Sequence, residues 1–595
     1  MQNVLVSSNT QASPALSDVF SRLGCELNEF QSTNQIPKAR TAALATAEQD
    51  TDAAKGLILS MPTRRNMLVP ISILPEEVLS RIFRFIAFEE LPYSLGCVHL
   101  RVTHVCRRWR QVALDDSTLW TPFLDLPRNK DWITKRLSRA RNAPLVLELD
   151  KSMGKDTLSL FTPHISHTRE LFLRNLSFHP EIVQEISIQK APILECLELE
   201  ALDSLQMDNE HVGHLFFKGT LPNLRILRIS QSVFPWSLFP RGQLTQLEVI
   251  LIEEVSAVPS LGSQHDDLNQ LIGLLVASPS LEVLTLHNCL PTMLSESSAR
   301  QTINLPRLSR LCLRGSSSRV TNLFKMLKLP SSTSLRLNCT SENTATHNDY
   351  HILPILSEHF SDPTPVKFRS FKLNLDHAHH VIDMIASTSL PMSPIRHATL
   401  IRADGDPELW LSFRRVDDLD GADILRRACN VLCLAHLEFL SMWSNSPNQF
   451  INWSEVFQHC TEVTMVDVYG CGTIGLLQAL TPPKRADTTA REDSDNGRGA
   501  QGQTPNDNDS YAPARGYVPI FPKLTSLRLK SLDFNKNVVP GSGVLFNLVL
   551  NAVQRRKVNK TPLTTLCIEH CVIRGKQAKV LEKLVCGFRW DYLGG

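Results

Sequence analysis

The chain has 595 residues, enough for about three or four domains or for one repeat array with smaller parts. Lys plus Arg number 62 against 60 for Asp plus Glu, a net charge of +2, so no global field draws polyanions and any nucleic-acid contact must rest on a local patch. With 42% hydrophobic residues there is material for a large core, yet the longest apolar runs, such as LIGLLVA at 271–277, are too short to span a bilayer.

The opening stretch, MQNVLVSSNTQASPALSDVF, has neither a basic start nor a continuous apolar run, so no secretory signal is expected. The 14 cysteines are scattered and are expected to be reduced thiols, which places the chain in cytoplasm or nucleus without a membrane partner. Residues 1–68 are rich in Ser, Thr, Gln, Asn and Ala and read as a flexible N-terminal segment. Leu16, Val19, Phe20, Leu23 and Leu27 give it one weak helical pattern.

From Ile71 the character changes. In ISILPEEVLSRIFRFIAF, Pro75 and two glutamates suit the first turn of a helix. Leu74, Val78, Ile82 and Ile86 recur every fourth residue, flanked by Leu79 and Phe83, as one apolar stripe. After the loop EELPYSLGC, a second stripe follows at Val102, Val105, Cys106, Trp109, Val112 and Ala113, and DDSTLW closes the unit on Leu119-Trp120. HVCRRWRQVALDDSTLW invites a nucleic-acid reading. Single-strand platforms, however, need aromatics exposed beside positive charge. Trp109 instead shares its face with valines and a cysteine, while Arg107, Arg108 and Arg110 lie largely off it, with Asp115 and Asp116 close by. No nucleic-acid partner is expected. Two or three short helices bury little surface alone, and a spare apolar patch marks where a partner completes them.

LPEEVLSRIF followed by VTHVCRRWRQVALDDSTLW resembles an F-box, and it is especially similar to F-box-like proteins of mushroom-forming fungi. The resemblance covers residues 71–124, with a longer than minimal segment between the helices at Ala87–Leu100. It implies a substrate receptor of an SCF (Skp–cullin–F-box) ubiquitin ligase. The helical unit would dock on the Skp linker subunit and, through it, on the cullin. Leu74 and Pro75 would open that surface. Val78, Ile82, Phe83, Val105, Cys106, Trp109, Leu119 and Trp120 would line it or support it from beneath.

Beyond residue 140 an irregular L-x-x-L-x-L pattern recurs: ILECLEL (Leu194, Leu197, Leu199), LRILRI (Leu224, Leu227, Ile229), then LEVLTL at 281, LSRLCL at 308, LEFLSM at 437, LTSLRL at 524 and LTTLCI at 563. Cys289, Asn445, Cys471 and Cys571 fall at the ninth position, as in a leucine-rich repeat. Each unit predicts one short strand, and DDLNQLIGLLVAS and GVLFNLVLNAVQRR read as helices between them. The expected fold is α/β: a small all-α F-box-like domain, then an irregular leucine-rich-repeat solenoid with parallel strands over 140–482 and 517–595. Residues 483–516, nearly devoid of aliphatics, read as a disordered insertion. Exposed strand positions such as Arg228, Thr285, Arg336, Lys372 and Arg528 are candidate target contacts.

Three clusters imitate chemistry. Gly470, Gly472 and Gly475 spell G-x-G-x-x-G, but no second strand with an acidic residue follows, so they are expected to serve a turn. His377, His379 and His380, like Cys567, His570 and Cys571, lack a second ligand pair at zinc spacing. No G-x-S-x-G, H-E-x-x-H or P-loop lysine occurs. No catalytic, cofactor-binding or metal residue is therefore assigned. The leading expectation is a non-enzymatic adaptor that holds an unknown target protein near the transferred ubiquitin. The alternative is an F-box scaffold acting without ubiquitin transfer.

Overall fold

The computed structural model describes residues 37–67, 69–88, 101–124, 129–175, 180–200, 221–232, 236–240, 242–252, 264–291, 302–341, 351–361, 366–391, 407–414, 418–432, 434–445, 451–470, 474–480, 520–536 and 544–591. The pattern at 16–27, the interhelical segment 89–100, Cys471 and the 483–516 insertion lie outside them. The chain divides into two compact units, one of residues 1–148 and 153–170, the other of 149–152 and 171–595.

In the first unit, α1 (Pro37–Met67) is helical where composition pointed to flexibility. Its stretch TAALATAEQDTDAAKG carries six alanines, the best helix former, and Pro37 occupies the first turn, where its missing N–H costs nothing. Helix α2 (Glu76–Phe88) begins just past Pro75, and the Pro75 carbonyl accepts from the Val78 and Leu79 amides. Helix α3 (Arg107–Asp115) is capped by Cys106, whose sulfur accepts from the Trp109 amide. A 3-10 turn at Ser117–Trp120 leads to β1 (Pro122–Phe123), which pairs in parallel with β2 (Leu145–Asp150) across α4 (Lys130–Ala140). Leu79, Phe83, Ala113, Leu119, Trp120, Phe123 and Ile133 are all 2% exposed or less and form the core of this unit.

In the large unit the L-x-x-L-x-L segments starting at 194, 224, 281 and 308 form strands, as their alternation predicts, and two strands outside those motifs join them: β3 (Cys196–Glu200), β4 (Ile226–Ser230), β5 (Gln246–Ile250, outside the motifs), β6 (Val283–His287), β7 (Arg310–Ser316) and β8 (Ser334–Thr340, outside the motifs) pair in succession, all parallel. Leu194, Leu224, Leu281 and Leu308 are buried ahead of their strands, and their amides close tight turns onto the carbonyls of Ala191, Leu221, Ser278 and Leu305. One expectation is corrected here. The next strands in the chain, β9 (Ser370–Asp376), β10 (Val381–Ser387) and β11 (Leu409–Arg414), stand in reversed order, β8–β11–β10–β9, and β10 runs antiparallel to both neighbours. The cause is local: only the four residues 377–380 join β9 to β10, too few for the crossover a parallel pair needs, and His380 takes a positive φ of 52° in that turn. Parallel pairing then resumes through β12 (Phe439–Ser444), β13 (Met465–Tyr469), β14 (Ser526–Lys530), β15 (Thr565–Glu569) and β16 (Gly587–Trp590).

The excursion does not disturb the side-chain rows. Leu199, Ile229, Val249, Leu286, Leu313, Leu337, Leu411, Met384, Leu373, Met442, Val468, Leu529 and Ile568 are aligned in register along one face and are buried. Strand side chains alternate between faces, so this aliphatic face fixes a polar one behind it. Helices 317–326, 352–361, 418–431, 453–456, 474–479, 545–558 and 575–584 each contact the next in chain order, a second layer beside the sheet. The fold is thus mixed α/β, with a large, mostly parallel sheet.

Candidate partner-docking site

The Asp116 carboxylate organises the first unit. It is buried and accepts from Arg84 at 2.7 and 3.0 Å, from Ser80, and from both the amide and hydroxyl of Thr118 at 3.1 and 2.6 Å. These bonds tie α2 to the turn that ends the motif. Burial pushes the Asp116 pKa up, but the bonds from Arg84, Ser80 and Thr118 outweigh it and hold the carboxyl below its ordinary range.

Arg108 and Arg110 of HVCRRWRQVAL have structural work. Arg108 donates to the carbonyls of Ser72 and Leu74, and Arg110 Nε donates to the Thr103 carbonyl at 2.8 Å. Arg108 thereby draws the start of α3 to the start of α2. Further on, Arg136 is 2% exposed, donates to the Trp120 and Pro122 carbonyls, and lies 4.9 Å from the Phe123 ring centroid.

Burial sorts the expected docking residues into two groups. Phe83, Leu119 and Trp120 are interior, and the Trp120 indole N–H donates to the Ala113 carbonyl at 2.8 Å. Leu74, Ile82, Cys106 and Trp109 are half-buried, with Trp109 5.0 Å from Phe83 between ring centroids. Pro75 is exposed, Val78 is 39% exposed and Val105 55%. The stripe Leu74–Val78–Ile82 therefore flanks the core rather than forming it. That core is centred on Leu79 and Phe83, one position along. Ile73, 80% exposed, and Phe85, 56% exposed, extend the apolar surface and were not anticipated. Ile73 could have been found as the residue before Leu74-Pro75, and Phe85 as the residue seven after Val78 and three after Ile82, on the same helix face.

The other clusters resolve locally. Gly470 has φ +75°, and a Cβ there would collide with the Ser444 carbonyl oxygen, so glycine serves the turn leaving β13. Cys571 is buried, accepts from the Leu532 amide and donates to the Leu529 and Glu569 carbonyls. Asn445 accepts from the His377 amide and donates to Asp376, stitching β12's end to the β9–β10 turn. One residue before Cys289, Asn288 takes a positive φ of 57° and donates to the Leu251 and Ile252 carbonyls, a buried turn-asparagine that the ninth-position rule misses by one place. Among the described residues no three or more His, Cys, Asp and Glu side chains group as a metal site, and no helix is long and apolar enough to cross a membrane.

Arg228, Thr285, Arg336, Lys372 and Arg528 fall in a single cross-strand row of the polar face. Arg336 stacks over the Trp410 ring, and Arg228 and Arg528 form ion pairs within the chain. Arg228 pairs with Glu198 at 3.7 Å and Glu248 at 3.5 Å, and Arg528 with Asp467 at 3.0 Å and Glu569 at 3.5 Å. Thr285 is buried.

No curated protein matches the chain. The helical unit around Asp116, with its exposed apolar flank, coincides with a family match: residues 71–124 match the F-box-like family.

Proposed function

We propose that the chain is a non-enzymatic substrate receptor of an SCF-type ubiquitin ligase. Its F-box-like unit docks on a Skp-type linker subunit and, through it, on a cullin. The large unit, read as a degenerate leucine-rich-repeat array of the fungal F-box-like type, holds a target protein on its polar sheet face, in cytoplasm or nucleus. Ubiquitin transfer then gains from proximity supplied by the other subunits. The observation that carries the reading is the exposure of Ile73, Pro75, Val78 and Val105 on a unit whose Asp116, Arg84, Arg108 and Arg110 side chains are bonded internally. An apolar flank without a cover on a small domain marks an interaction surface. Phe83, Leu119 and Trp120 support it from beneath.

The test is direct binding of the purified full chain to a Skp-type subunit. Burying one valine is worth about 1.5 kcal/mol or more, so Val78→Asp with Val105→Asp should weaken binding at least ~10-fold. Unchanged affinity would remove the docking surface from consideration. Stabilisation of a bound protein in cells on deleting 71–124 separates receptor from scaffold.

A further inference from the structure

Along most of the polar sheet face, charge is neutralised pair by pair. Arg174 bonds Glu198 and Glu200, Arg228 bonds Glu198 and Glu248, Arg528 bonds Asp467 and Glu569, and Lys530 bonds Glu569. The centre of the face is different. In register across β7, β8 and β11 stand Arg314, Asn338 and Ser412, and Arg414 lies two residues beyond Ser412 on the same face. Among the described residues no carboxylate lies within ion-pair distance of Arg314 or Arg414. Arg314 and Arg414 stand two strands apart on this face, and burial first, and then the Arg414 charge, push the Arg314 pKa down. Arg314 in turn pushes down His287, its β6 neighbour, which burial already lowers. Asp383 stands opposite Ser412 on β10 and makes no ion pair with either arginine.

The hydrogen-bonding groups around this pair are also unmet. Arg414 Nε, Asn338 Oδ1, Ser412 Oγ and the Trp410 indole N–H are buried atoms without a partner, and Ser412 is only 3% exposed. Trp410 sits beside them with the Arg336 guanidinium 5.6 Å from its ring centroid. Each buried unmet group costs stability, and so does a like-charged pair. An oxyanion placed between the arginines would answer both, because guanidinium forks match carboxylate and phosphate oxygens.

We propose that Arg314 and Arg414, with Ser412, Asn338 and Trp410, form a binding site for an oxyanion carried on an acidic polypeptide segment, a side-chain carboxylate or a phosphate ester. A peptide suits the surroundings: the arginines are half-exposed on an open sheet face, and the Trp410 ring offers apolar contact to the residue beside the anion. A long polyanion does not, because Glu198, Glu200 and Glu248 flank the patch on one side and Asp467 and Glu569 on the other. As the target's contact, the site rests on the receptor reading above; as an anion site it stands on the sheet alone.

The test uses the full chain and labelled 12-residue Gly/Ser peptides read by fluorescence anisotropy. One carries three consecutive glutamates, one replaces the middle glutamate with phosphoserine, and one carries glutamines. The acidic peptides should bind at least ~10-fold tighter than the glutamine peptide. Arg314→Gln with Arg414→Gln should abolish that preference, and Arg426→Gln, on the helix surface, should leave it. A preference confined to phosphoserine would assign the phosphate ester; equal binding of both would assign the carboxylate. The double variant should melt no lower than wild type, since like-charge repulsion is relieved. As a second readout, inorganic phosphate, relative to sodium chloride of equal ionic strength, should raise the melting temperature of wild type more than that of the double variant. No preference in wild type, its survival in the double variant, tighter binding of an oligouridylate of equal charge, or no phosphate-specific shift would overturn the proposal. Skp binding is measured on the same samples, so failure of the anion site and failure of the receptor reading are told apart.

Discussion

Asp116→Asn should loosen the F-box-like unit without enlarging or emptying its core. The wild-type carboxylate is 4% exposed and receives two bonds from Arg84, one from Ser80 and two from Thr118. Hydrogen bonds to a charged group contribute about 1.5–3 kcal/mol in total context, and neutral ones about 1. The Arg84 side chain is 46% exposed, so solvent screens its share and the low end applies. Asparagine keeps one acceptor for Thr118 but turns an amide donor toward the Arg84 donors. The net loss is about 2 kcal/mol, equivalent to ~30-fold in a local opening equilibrium. Hydrogen exchange followed by mass spectrometry should therefore show peptides spanning α2 and 117–120 exchanging ~30-fold faster at pH 7, with the large unit unchanged. The pH dependence has a fixed sign. A carboxyl whose folded pKa lies below its unfolded value contributes fully above the ordinary carboxylate range and loses that contribution as pH falls through the folded value. The gap between wild type and variant, corrected for intrinsic exchange, should close below about pH 4. Equal protection of α2 in both proteins at pH 7 would refute the reasoning.

Gly470→Ala should destabilise the large unit by at least about 2 kcal/mol in urea unfolding, because the positive φ of 75° and the Ser444 carbonyl both reject a Cβ. Arg556→Met should cost about 3 kcal/mol, read the same way: Arg556 is 1% exposed, and its loss strips donors from the Ile520, Phe521 and Leu524 carbonyls. Maleimide at pH 8 should modify exposed Cys586 well before Cys571, whose thiol is buried and pushed up to about 11, mainly by that burial; equal rates by mass spectrometry would contradict the buried placement.

The sequence alone determined where local periodicity is strong. The two apolar stripes of 74–113 became α2 and α3, and Leu197, Leu227, Leu284 and Leu311 fell in one cross-strand row, because a period of two fixes which side chains face inward. The alanines of α1 were legible as helix formers, yet low hydrophobicity masked them. Tertiary structure decided the rest. The reversed order of β9, β10 and β11 depends on which edge each strand reaches, and no periodicity encodes a neighbour. Likewise Phe83 and Val78 share one helix and similar hydrophobicity, but only packing left one sealed and the other uncovered. Arg228 and Arg314 are equally basic on paper. The first finds two glutamates across neighbouring strands and the second finds another arginine, because charge pairing across a sheet is set by register, which links residues far apart in the chain.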